Sequence, residues 1–140
     1  MKVTELINID SKYNFEAPLL SAKTRQKLKQ SKLSEQELID LNNILLQNPK
    51  DTFIVRVGGD SMIDKNIFDG DLLIVDSKRN AINGDVVIAS MNNEMTVKTF
   101  KLMDGKAYLI AANERFLPME ISEFYQFQIH GVVRHVVRSL

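Results

Sequence analysis

Apolar and polar positions along the chain follow two rhythms, and the change between them falls near residue 50. From Thr52 onward the apolar residues come in short runs bounded by turn formers. Phe53-Ile54-Val55-Arg56-Val57 ends at Gly58-Gly59, Leu72-Leu73-Ile74-Val75 lies between Asp69-Gly70-Asp71 and Asp76-Ser77, and Val86-Val87-Ile88-Ala89 follows Asn83-Gly84. Glu94 to Leu102 runs into Asp104-Gly105 and returns through Tyr108-Leu109-Ile110, the pattern of a tight hairpin. The chain closes with a strand from Phe127 to Val137, broken by Gly131. Short strands at close spacing predict a mainly β, compact, antiparallel-rich domain. Ahead of it, Ser34-Glu35-Gln36-Glu37 has the form of a capping box. Leu38, Leu41 and Leu45 then recur at helical spacing with Pro49 beyond, which predicts one short helix over residues 35–47, its apolar stripe packed on the domain that follows. Residues 1–33 keep neither period and contain no glycine. Between Glu16 and Glu35 no acid interrupts Lys23, Arg25, Lys27, Lys29 and Lys32. Residues 1–33 are therefore expected to form a flexible, solvated N-terminal arm ahead of a domain over 34–140. A docking strip for a negatively charged partner, or a cleavable segment, is the sharper reading of the same basic run.

Composition narrows the function classes. The 140 residues are 44% apolar and 26% charged, ordinary values for a soluble globular protein. Lys+Arg and Asp+Glu both number 18, so no global charge points to DNA or to an acidic substrate. Zero cysteines exclude disulfides, thiolate metal sites and cysteine catalysis. Met1-Lys2-Val3-Thr4-Glu5-Leu6 lacks the apolar core of a signal peptide, and no apolar run approaches the roughly 20 residues needed to span a bilayer. A cytoplasmic protein without membrane association is expected.

The candidate chemistry rests on Ser61, in the turn Gly59-Asp60-Ser61-Met62, and Lys98, within Glu94-Met95-Thr96-Val97-Lys98-Thr99-Phe100. A serine hydroxyl is a poor nucleophile until a base takes its proton, and a lysine serves as that base once burial destabilises its ammonium. Such a pair requires no histidine, metal or cofactor. Strand alternation puts Lys98 on one face with Thr96, Phe100 and Leu102, where Thr96 can offer a hydroxyl to orient the amine. Amides at Ser61 and Met62 are candidates for an oxyanion hole. Taken singly, each residue also has a plain reading: a turn serine, and a strand lysine extending to solvent. Nothing in the spacing ties the two together. His130 and His135 are the only histidines, and a Ser61–His pair is the weaker alternative. Asp69, Asp71, Asp76 and Asp85 punctuate turns and read as turn residues before they read as a metal site. Gly58-Gly59 lacks the Lys-Ser/Thr sequel of a phosphate loop.

The motifs together resemble the self-cleaving LexA/UmuD Ser-Lys peptidase family. They are Gly59-Asp60-Ser61-Met62, the run Asp69 to Asp76, the run Gly84 to Ala89, and Glu94 to Phe100, with the resemblance extending over about residues 38–138. The tail Gly131-Val132-Val133-Arg134-His135-Val136-Val137 and the segment Leu41 to Pro49 are similar to the UmuD branch in particular. The resemblance implies Ser61 as nucleophile and Lys98 as base. It also implies a part in the bacterial SOS response: a homodimer, stimulated by a recombinase filament on single-stranded DNA, removes its own arm and joins a Y-family translesion polymerase catalytic subunit. LexA-like repressors carry a DNA-binding helical domain ahead of the peptidase. An arm and one helix are too little for that, so no sequence-specific DNA binding is expected. One departure stands out. The family cuts an Ala-Gly or Cys-Gly bond shortly after a run like Pro18-Leu19-Leu20-Ser21, yet no glycine precedes Gly58, and Arg25, Gln26 and Lys27 occupy the corresponding place. Self-cleavage at an unusual bond, action on another chain, and service as an uncut binding subunit all fit that pattern.

Overall fold

The computed structural model describes residues 1–7, 16–18, 38–123 and 126–140. The chain divides into two units, one of Met1–Ile9 with Asn48–Leu140 and the other of Asp10–Gln47. Within the second, β2 (Glu16–Pro18) pairs antiparallel with β3 (Leu38–Asp40), and α1 spans Leu41–Leu45. The helix predicted over 35–47 is thus shorter than expected. Leu38–Asp40 are extended and paired, and residues 35–37, with the expected capping box, lie outside the described residues. Ile39 is β-branched and Asn42-Asn43 are poor helix formers, so the leucine spacing is not sustained by propensity. None of the α1 residues is buried.

The first unit is an eight-stranded, wholly antiparallel sheet in the order β1-β4-β5-β10-β6-β7-β8-β9. Its strands are β1 (Lys2–Ile7), β4 (Thr52–Gly58), β5 (Leu72–Asp76), β6 (Val86–Met91), β7 (Glu94–Met103), β8 (Lys106–Ile110), β9 (Met119–Glu120) and β10 (Phe127–Val137). Lys2 also pairs with Thr96, so β1 bridges β4 and β7 and curls the sheet back on itself. That pairing revises the expectation of a solvated arm for residues 2–7: Val3↔Val57, Leu6↔Val55 and Ile7↔Ile54 put them in register with β4.

The continuous apolar runs, which do not alternate, have a simple cause. On β6, Ile88 faces a core of Val55, Val57, Met62, Leu73, Val75 and Val97, while Val87 and Ala89 face a second cluster with Leu109 and Val132. Both faces of the strand are buried, so both must be apolar. The Asp104-Gly105 hairpin forms as predicted, with both φ values positive (51° and 76°), the combination a two-residue turn of matching twist needs.

At the C-terminal end, Arg138 grips the buried Asp71 carboxylate through Nε at 2.6 Å and Nη2 at 2.5 Å, and its guanidinium stacks over Phe68. The guanidinium holds the Asp71 carboxyl below the usual aspartate range, despite burial. Phe68 N–H donates to the same carboxylate, tying the loop after the Ser61 turn to the chain's last strand.

Gly131 marks the point where β10 leaves β6 and continues along β5, at a register shift between Ile129 and Gly131. A Cβ there would sit 2.7 Å from both the Asp76 carbonyl oxygen and Val75 Cγ1. Gly131→Ala is expected to lower unfolding free energy by about 1–3 kcal/mol, the usual cost of overpacking, measured by urea denaturation.

Candidate active site

β4 delivers the chain to Gly58, and the next residues turn sharply. Gly59 takes φ 99°, a conformation costly for any side chain with a Cβ, and donates its N–H to Asp69 Oδ1 at 2.9 Å. Met62 then drives into the core as one of its fully buried side chains, and its carbonyl accepts from Lys65 and Ile67 N–H. Ser61, between these anchors, is 2% exposed. Neither the Ser61 nor the Met62 N–H has a hydrogen-bond acceptor among the described residues.

Lys98 stands mid-way along β7, opposite Val87 of β6, and is 5% exposed. Its Nζ donates to Ser61 Oγ at 3.1 Å. The Phe116 ring lies over the amine, its centroid 6.0 Å away. Burial pushes the Lys98 amine below the ordinary lysine value of 10.5, while the Met1 amino group and Glu94 pull more weakly the other way. A cation over an exposed ring at this distance gains about 0.5–1 kcal/mol, too little to offset loss of hydration for a buried ammonium. The structure therefore brings the two sequence candidates together, 37 residues apart in the chain, with the lysine in surroundings that favour its neutral form.

The slot beside the pair is filled by the chain itself. The Met1 amino group hydrogen-bonds Ser61 Oγ, and its carbonyl accepts from Val97 N at 2.9 Å and from Thr96 Oγ1 at 2.7 Å. Thr96 thus serves Met1 rather than orienting Lys98, because its hydroxyl finds a backbone acceptor on the strand that closes the sheet. Burial, then Lys98, lowers the Met1 amine to about 5. Met1, Lys2, Thr4, Gly58, Gly59, Asp60, Ser61 and Phe116 together line a cavity of about 330 Å³.

The remaining candidates fall elsewhere. His130 Nε2 is 2.9 Å from Ser90 Oγ, and His135 sits in β10 opposite Ile74; neither is a hydrogen-bond partner of Ser61. Asp69, Asp71, Asp76 and Asp85 each accept from a loop or turn amide, at Gly59, Phe68, Lys78 and Ile82 respectively. Among the described residues no group of three acidic or histidine side chains could hold a metal ion. Arg25, Gln26 and Lys27 lie outside the described residues.

Sequence reasoning missed the loop after β8. Asp64 N–H donates to the Ala112 carbonyl at 2.8 Å, Arg115 Nη2 reaches Asp60 Oδ2 at 2.6 Å, and Asn113 Nδ2 donates to the Asp60 carbonyl at 3.0 Å. Asn113-Glu114-Arg115 looks like any polar turn, and nothing in its pattern connects it to Ser61.

A family model described as Peptidase S24-like matches residues 19–134, most of the chain. The chain belongs to the S24 peptidase family. Its relatives include the LexA repressor of Ectopseudomonas mendocina, 45% identical over 92 residues, which cover 65% of this chain and 45% of that protein. LexA repressor 1 of Pseudomonas putida is 39% identical over 109 residues, 76% of this chain and 54% of the relative. The LexA repressor of Colwellia psychrerythraea is 39% identical over 113 residues, 80% and 52% of the two chains. The chain spans about half the length of the curated relatives it matches. The mainly β, antiparallel fold is consistent with membership of the LexA/UmuD Ser-Lys peptidase family.

The lowered Lys98 value makes stability depend on pH. Between the folded-state pKa and 10.5, the unfolded chain binds the proton that the folded chain does not, so stability rises with pH across this window and is lost as pH falls through the folded pKa. Lys98→Met is expected to be more stable than the parent at neutral pH, with the difference shrinking toward pH 10.5. Urea unfolding of both proteins across that range checks it.

Proposed function

We propose that this S24-family chain is a UmuD-like, self-cleaving Ser-Lys peptidase of the SOS response, whose substrate is its own N-terminal segment. The observation that carries the reading is the 3.1 Å contact between Lys98 Nζ and Ser61 Oγ, in a site that disfavours the charged amine. Neutral Lys98 removes the Ser61 proton, and the alkoxide attacks a peptide carbonyl once Met1 has left the slot. The Ser61 and Met62 amides hold the oxyanion on this reading, which their lack of acceptors among the described residues supports. The Lys98 ammonium returns the proton to the departing amine. Water, activated by the same lysine, then frees the acyl-enzyme. Tethering raises the effective concentration of the scissile bond, which helps a poorly matched sequence near Arg25, Gln26 and Lys27. A cut there would sever β1 from the rest of the chain and clear the slot.

The UmuD branch is favoured over a repressor by the tail Gly131 to Val137 and the segment Leu41 to Pro49. On this reading the cleaved protein is a homodimer that serves as accessory subunit of a Y-family translesion polymerase, and a recombinase filament on single-stranded DNA stimulates the cut. A second reading, an uncut interaction subunit, is favoured by one feature: residues 1–57 contain no glycine, hence no Ala-Gly or Cys-Gly bond.

Intact mass separates the two. The purified protein is incubated with activated filament, or at alkaline pH to neutralise Lys98. Discrete loss of an N-terminal fragment ending near Arg25–Lys27 is expected, abolished in Ser61→Ala and in Lys98→Ala, both of which stay folded. Unchanged mass in the parent would favour the uncut subunit, and processing that persists in both variants would remove the dyad.

A further inference from the structure

We infer that Asn113 is a positioning residue for the oxyanion hole, acting through the peptide that joins Asp60 to Ser61. The inference rests on the Ser-Lys peptidase reading of the site. Asn113 is 7% exposed, and both ends of its side-chain amide are hydrogen-bonded. Its Oδ1 accepts from Arg115 N–H at 3.1 Å, its Nδ2 donates to the Asp60 carbonyl at 3.0 Å, and its own carbonyl accepts from Phe116 N–H at 3.1 Å. Both side-chain partners are backbone groups of fixed character, a donor at Arg115 and an acceptor at Asp60. The amide can therefore sit only one way round.

The consequence follows from peptide geometry. The Asp60 carbonyl and the Ser61 N–H belong to one planar trans unit and point in opposite directions. Ser61 N–H also has no acceptor among the described residues. A carbonyl held by Asn113 turns that N–H away from the 112–116 loop and keeps it there. Among the described residues the only other donor to the Asp60 carbonyl is Ile63 N–H, at a long 3.4 Å. Without Asn113 the orientation of this unit, set by Asp60 ψ and Ser61 φ, keeps only that long turn contact among the described residues. The Arg115–Asp60 ion pair does not replace the restraint. Both its side chains are more than half exposed, and it holds the carboxylate rather than the backbone.

The test reads the hole directly, with a dipeptide boronic acid ending in a boro-alanine residue as probe. Its tetrahedral adduct on Ser61 places an oxygen where the oxyanion forms. The parent is expected to give a tetrahedral boron resonance and a downfield shift of the Ser61 amide proton, both absent in Ser61→Ala. Asn113→Asp keeps the acceptor for Arg115 but has no donor for Asp60. It should bind the probe about tenfold to a hundredfold more weakly, below the loss from deleting a donor outright, and should lack the amide shift. Asn113→Ala, which places no charge in the loop, should behave the same way if the aspartate variant unfolds. Adduct affinity and amide shift equal to the parent's in a folded Asn113 variant would overturn the inference and leave the dyad standing. Absence of any Ser61 adduct in a parent that also fails to cut itself would overturn the dyad reading, and the inference with it.

Discussion

The side chain of Lys98 enters the protein from the middle of β7, between neighbours that cannot solvate a charge. Val87 lies opposite it, Phe116 covers it, and the buried Met1 lies beside it on Ser61. This exclusion of water is what the proposed chemistry depends on, since an exposed lysine at neutral pH is an ammonium with no lone pair to offer a serine. It also carries a cost, because a buried ammonium destabilises the fold wherever the pH keeps it charged. The surrounding construction supports that cost. β6 is apolar on both faces, β1 closes the sheet against both β4 and β7, and Met62 pins the Ser61 turn into the core.

The same exclusion explains why the slot beside Ser61 and Lys98 is occupied. The Met1 carbonyl takes the two donors that β7 presents there, Val97 N–H and the Thr96 hydroxyl, so the edge of the cleft is satisfied by backbone pairing. An incoming extended segment can meet these donors only in place of Met1. The ion pairs that flank β1, Lys2 with Glu94 and Glu5 with Arg56, are exposed and add little to its hold. Strand pairing and burial of Met1 keep the slot closed.

Much of this architecture could be read from the chain. The strand runs, the Asp104-Gly105 turn and the break at Gly131 follow from local rules, because they concern residues close in sequence. The association of Ser61 with Lys98 could not be derived that way. It is made by a turn and a strand that meet only when the sheet curls, and only the family motifs linked them beforehand. Residues 2–7 misled for the same reason: a short strand with Lys2, Thr4 and Glu5 looks solvated until β4 supplies its partner. Leucine spacing predicts a longer helix than forms, because Leu38–Asp40 pair with Glu16–Pro18, a partner distant in sequence. Asn113 left no trace, since its role lies in the direction of one amide toward one carbonyl.

The claim that organises the site is that Lys98 is neutral at a pH where ordinary lysines are charged. Nuclear magnetic resonance titration of the protein, with lysine labelled at Cε and Lys98 assigned by its loss in Lys98→Met, measures this directly. The account predicts a Lys98 midpoint clearly below 10.5, displaced from the exposed lysines in the same spectrum. A midpoint at or above 10.5 would contradict it, for the amine beside Ser61 would then be no base.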